Sequence, residues 1–122
     1  MDISKEYILM SSKAIEIQKE HKPETGDFQA NRVSFKVTVY SGKYGFNKKK
    51  VWLPRQDQLQ EILFSQKTIK ACFYRDIHGL SKDFYLFAFQ HPEFKSFEQL
   101  WLAFVMSEKY NKIFEGKDWI IK

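Results

Sequence analysis

Seven apolar residues follow one another from Leu100 to Met106, LWLAFVM, and no other stretch restricts the fold as much. Just ahead, Ser96-Phe97-Glu98-Gln99 has the form of a capping box, with Ser at the N-cap and Gln three residues later. The pair predicts a helix that is apolar nearly all round, and such a helix has to be covered on more than one side. Cover comes either from the rest of the chain or from a second copy, so a homodimer is one expectation. Gly116 reads as the stop of this helix, and Asp118-Trp119-Ile120-Ile121 as a short terminal strand.

The chain can supply much of that cover itself. Its 122 residues suffice for one domain with a core that needs neither metal nor disulfide. With 43% hydrophobic and 29% charged residues the balance is that of a folded chain, not a disordered one. The single cysteine, Cys72, rules out an internal disulfide and a Cys-based zinc cage, and reads as a small buried hydrophobe. MDISKEYILMSSK lacks the apolar stretch of a signal peptide, and no apolar run approaches the ~18 residues of a membrane span. The expectation is a soluble, cytoplasmic protein without a membrane partner.

Periodicity then sorts the elements. Residues 4 to 21 contain neither Gly nor Pro and carry an imperfect helical stripe, Tyr7, Ile8, Met10, Ala14, Ile15 and Ile17, with Ser4 as N-cap. KPETGD ends that helix. From Asn31 to Tyr40 the period changes to two: Val33, Phe35, Val37 and Val39 alternate with Ser34, Lys36, Thr38 and Tyr40. After SGKYGFN the alternation returns in KKKVWL, with Val51 and Leu53 on one side and Lys48, Lys50 and Trp52 on the other. Two such strands predict an antiparallel hairpin with one wet face. Pro54 suits the first turn of a helix containing Leu59, Ile62 and Leu63, with Asp57 near its positive end. TIKACFYR fits a strand or a helix, as does FYLFAF at 84–89. The sum is a single α+β domain over residues 1–122: an N-terminal helix, a small antiparallel sheet, helices on one face, and a buried apolar C-terminal helix.

The search for catalytic groups is negative. His21, His78 and His91 are scattered without a ligand-pair spacing, and no glycine-rich phosphate loop or nucleophile elbow occurs. Asp76 and His78 in RDIHG read as a turn before Gly79, with an acid–base pair as the alternative. Asp57 and Glu61, four apart, read as a solvated helix face. With Arg55 they carry the least favoured alternative, an enzyme or small-nucleotide binder. The expectation is a protein without catalytic activity, cofactor or metal.

Charge is distributed with more purpose. Between Phe28 and Gln56 lie seven basic residues, Arg32, Lys36, Lys43, Lys48, Lys49, Lys50 and Arg55, and no Asp or Glu. The chain carries +5, so taking away these seven leaves −2 for all the rest. Tyr40, Tyr44, Phe46 and Trp52 are interleaved with them. Lysines beside rings can neutralise phosphates while the rings stack on bases. The same charges can receive an acidic protein surface, or merely keep an exposed hairpin soluble. The partner-binding candidates are Lys36, Lys43, Tyr44, Phe46, Lys48, Lys49, Lys50, Trp52 and Arg55, and the partner is an acidic protein or a nucleic acid.

Four blocks, KAIEIQ, KPETGDF, VWLPRQDQLQEIL and SFEQLWLAFVMSEKYNKIFEGKDW, make the chain resemble a group of small proteins encoded by phages and prophages of Firmicutes. The resemblance implies a setting: a cytoplasmic accessory protein of a mobile element, acting on a host factor or a defence system. It assigns no residue a role. The expected function is therefore non-catalytic binding of a host or phage protein, with nucleic-acid binding through residues 28–56 as the alternative.

Overall fold

The computed structural model describes residues 1–42, 49–64 and 77–122. Of the sequence expectations, TIKACFYR, Cys72, Asp76, Lys43, Tyr44, Phe46 and Lys48 lie outside the described residues, as does the side chain of His78.

The N-terminal helix forms as two pieces, α1 (Lys5–Lys13) and α2 (Ile15–Glu20). Ser4 caps α1, its Oγ accepting from the Tyr7 N–H at 3.2 Å. The continuous helix expected over 4–21 breaks at Ala14, where φ −81° and ψ 68° leave the helical region. The break frees the Ser11 carbonyl, which accepts from both the Ala14 N–H and the Gln18 side-chain amide. Tyr7, Ile8, Met10, Ala14 and Ile17 still reach the core, whereas Ile15 faces solvent.

The sheet departs from the expected hairpin. Three strands, β1 (Phe28–Asn31), β2 (Val37–Val39) and β3 (Lys50–Leu53), are ordered β2-β1-β3, antiparallel throughout. The two alternating segments flank β1 instead of pairing with each other. The strand expected from Asn31 is interrupted because Asn31 itself makes a turn. Its Oδ1 accepts from the Val33 and Ser34 N–H groups at 2.9 and 3.0 Å, and Phe35 takes a left-handed φ of 60°. Side-chain competition for the backbone thus overrides the period-two pattern, and Val33 ends 83% exposed.

The sequence leaves two places for Trp52, the wet face and a core beneath a helix. The alternation put it on the wet face with Lys50, but it is 2% exposed, with Val51, Leu53 and Pro54 buried around it. α1 packs against β3, and the His21 ring covers the indole at 3.5 Å and 3°. β3 is therefore dry on both faces over most of its length.

After β3 the chain forms α3 (Gln56–Phe64). Pro54 stands two residues before the first helical residue, not within the first turn as expected. Its carbonyl accepts from the buried Tyr7 hydroxyl at 2.7 Å. The Arg55 N–H is satisfied by Gln58 Oε1 at 2.9 Å, the return half of a capping box. The ambiguous FYLFAF lies in a helix, α4 (Ile77–Gln90), with Leu80 and Phe84 inward and Tyr85, Leu86 and Phe89 exposed.

The apolar run does form the expected buried helix, α5 (Phe97–Tyr110). Ser96 Oγ accepts from the Gln99 N–H at 3.1 Å, and every residue from Trp101 to Ser107 is buried. α1, α3, α4 and the following strand surround it, so this chain supplies the cover for which a second copy was considered. Phe84 stacks on Trp101 at 4.0 Å and 7°, with Phe104 edge-on to both. The helix stops at Asn111, in a left-handed conformation with φ 55°, and not at Gly116. Gly116 instead turns a second antiparallel pair, β4 (Lys112–Phe114) and β5 (Trp119–Ile121). This pair seals the bottom of the core, because Trp119 is buried and its Nε1–H donates to the Met10 carbonyl at 3.0 Å. The described residues form a small α+β domain with a three-stranded and a two-stranded antiparallel sheet.

Candidate functional site

The turn that joins β1 to β2 gathers several of the basic residues singled out in the sequence. The Asn31 N–H donates to the Lys36 carbonyl at 2.9 Å, Asn31 pairs with Lys50 across β1 and β3, and the Arg32 N–H donates to the Lys49 carbonyl at 2.8 Å. Lys36, Asn31 and Lys50 thus line up across three strands, with Arg32 and Lys49 one step beyond. Arg32, Lys36 and Lys49 are exposed and Lys50 is half-buried. From α1, Lys5 adds its ammonium 5.9 Å from the centre of the Phe35 ring.

Apolar groups stand among these cations. Val33 is 83% exposed, Phe35 39% and Val39 55%. A bulky residue at positive φ is uncommon and costs about 1–3 kcal/mol, so the surroundings hold Phe35 in place. The Phe35 N–H donates to the Asn31 carbonyl at 2.9 Å, which closes the turn. The result is a preformed projection that presents two apolar side chains, with Lys36 beside them and Lys5 over the Phe35 ring.

The other candidates fall elsewhere. Trp52 is buried and offers no exposed ring to a partner. Arg55 lies at the far end of β3 and is engaged with Asp57, Nε to Oδ1 at 3.1 Å. Hydrogen bonding from Arg55 holds the Asp57 carboxyl below its ordinary value, although both groups are open to water. Arg55 and Asp57 thus form a surface pair at the start of α3. Among the described residues, no group of three or more His, Cys, Asp or Glu side chains could hold a metal.

One arrangement has no counterpart in the sequence reading. His21 Nε2 lies 2.6 Å from Asp27 Oδ2, and Asp27 is almost fully buried. The Glu24 N–H and the Gln58 side-chain amide also donate to that carboxylate, each at 2.8 Å. Burial works to raise the pKa of Asp27, but the hydrogen bonds from Glu24, His21 and Gln58 outweigh it and hold the group below its ordinary value. The cluster ties the end of α2, the start of β1, β3 and α3 together. His21, Glu24 and Gln58 also line a cleft of about 360 Å³, together with Glu20, Glu61 and Tyr110. Burial, together with the Glu20 and Glu16 carboxylates, pushes the Tyr110 phenol well above its ordinary value. A sequence signal existed: a histidine ending one helix and an aspartate opening a strand, six apart across PETG.

No family model, curated protein or solved structure matches this chain. No helix among the described residues is long and apolar enough to cross a membrane.

Proposed function

We propose that this protein is a non-catalytic binding protein that captures an acidic protein partner through the β1–β2 turn. The contact residues are Val33, Phe35 and Lys36, flanked by Lys5, Lys49 and Lys50. One observation carries the reading: exposed Val33 and Phe35 stand in a preformed turn, with Lys36 beside them and the Lys5 ammonium over the Phe35 ring. Apolar anchors desolvated by a partner, with cations steering the approach, are the ordinary ingredients of a specific protein interface. On the sequence resemblance, the partner we propose is a host or phage protein, met by a cytoplasmic accessory protein of a phage or prophage.

Nucleic acid is the less favoured target of the same surface. Single-strand binding relies on a row of exposed rings. Among the described residues of this turn, with Trp52 buried, Phe35 is the exposed ring, and its neighbours Val33 and Val39 are aliphatic and cannot stack on bases as rings do. The test is affinity capture from bacterial lysate, with and without nuclease, using the native protein and a Lys36→Glu/Lys49→Glu variant. An acidic protein retained after nuclease and lost with the variant supports the proposal. Loss of all retained material on nuclease treatment, with salt-sensitive binding of a single-stranded oligonucleotide, moves the reading to nucleic acid.

A further inference from the structure

The two outer edges of the three-stranded sheet are treated differently. On β3, the Gln18 side-chain amide accepts from the Trp52 N–H at 2.9 Å and donates to the Trp52 carbonyl at 2.8 Å. A side chain there stands in for the peptide of a neighbouring strand, and that edge is closed. The other edge is β2, and among the described residues no hydrogen bond of this kind reaches it.

Register identifies the groups that β2 leaves outward. The Asn31 N–H donates to the Lys36 carbonyl and the Tyr40 N–H to the Asp27 carbonyl. Gln29 pairs with Thr38 midway between them. Hydrogen-bonded pairs alternate along an antiparallel ladder, so Lys36, Thr38 and Tyr40 turn their peptide groups towards β1. Val37 and Val39 therefore turn theirs to the outside: two N–H donors and two carbonyl acceptors. Unpaired groups of this kind form a template for a further strand. Lys36 marks one end of this edge, Val33 and Phe35 extend beyond it, and the exposed Val39 lies on it.

We propose that the partner docks as an extended acidic segment that adds to β2 as a fourth strand. Its peptide groups pair with those of Val37 and Val39, and its carboxylates meet Lys36 at the end of that edge. Charge complementarity selects the occupant: residues 28–56 hold no acidic side chain, so an acidic strand gains an attraction to Lys36 that a neutral strand lacks and a basic strand meets as repulsion. This inference rests on the acidic-partner reading above and adds to it the mode of binding.

The experiment uses the full ¹⁵N-labelled chain and two synthetic eight-residue peptides that alternate glutamate with valine. The second peptide is N-methylated at every other residue, which keeps its charge and side chains but removes the donors of one edge. Strand addition predicts that the first peptide slows amide exchange at Val37 and Val39 by about tenfold or more, and that the methylated peptide binds at least about tenfold more weakly. Val39→Pro removes one outward donor and no ladder bond, a change that edge strands accept. It should weaken the first peptide similarly while leaving the far-ultraviolet circular dichroism unchanged. Equal binding of both peptides, with exchange at Val37 and Val39 unaltered, overturns strand addition yet leaves the acidic-partner reading in place. Failure of both peptides to bind, beside an acidic protein captured in a Lys36-dependent manner, also overturns strand addition alone. Failure of both with no such protein overturns the two together.

Discussion

The hydroxyl of Tyr7 donates to the carbonyl of Pro54 at 2.7 Å, across 47 residues and wholly inside the protein. The bond joins the first turn of α1 to the residue that follows β3. Tyr7→Phe keeps the ring and leaves that carbonyl without its donor. Stability should fall by about 1–3 kcal/mol, read as a lower urea midpoint at unchanged m-value.

Gln18→Ala removes three hydrogen bonds at once, those to the Ser11 carbonyl and to both polar groups of the Trp52 peptide. A loss of about 1–3 kcal/mol is expected. Amide exchange at Trp52 should accelerate more than the global change accounts for, and the opened edge should raise aggregation on concentration. Exchange at Trp52 that moves only with global stability would contradict the edge-closing role.

Asp27 makes stability depend on acid. Its pKa in the folded protein lies below the ordinary 3.8. The contribution is whole above that value and is lost as the pH falls through the lower folded value. Urea denaturation of the native chain should therefore weaken between pH 5 and the acid side of 3.8, more steeply than that of Asp27→Asn. Parallel curves for the two proteins would show that the carboxylate adds nothing to acid sensitivity.

Phe35 separates stability from binding. Glycine adopts its φ of 60° without steric strain, so Phe35→Gly should leave stability in urea unchanged or raise it, by up to about 1 kcal/mol. Capture of the acidic partner should fall by about tenfold or more, as for a central interface anchor. Phe89→Ala, on the exposed side of α4, serves as the control and should leave capture unaffected.

Capping and composition were the legible parts of this fold. Ser4 and Ser96 cap the helices assigned to them, because such a cap is a local agreement between one side chain and an N–H three residues on. LWLAFVM announced its own burial for an equally local reason, since a helix without a polar face has no side to expose. The alternation from Val33 to Val39 misled because Asn31 competed for the same backbone and turned it. Trp52 could not be assigned from its neighbours: what covers it is His21, brought in from 31 residues away. The His21–Asp27 pair escaped notice because two side chains six apart, on either side of a turn, leave no periodic trace. The basic surface was legible as charge, whereas its concentration around one turn required the β2-β1-β3 order.

The encasement of α5 has a consequence in time. Elements from both ends of the chain, α1 and β4, and two from its middle, α3 and α4, all rest on this helix. No local opening can bare its amides without detaching one of its neighbours. The protons of Leu102 to Met106 should thus be the last to exchange, at the pace of whole-molecule unfolding. The Asn31–Lys36 turn, built on its own short-range bonds, can exchange or close on a partner without disturbing that clock.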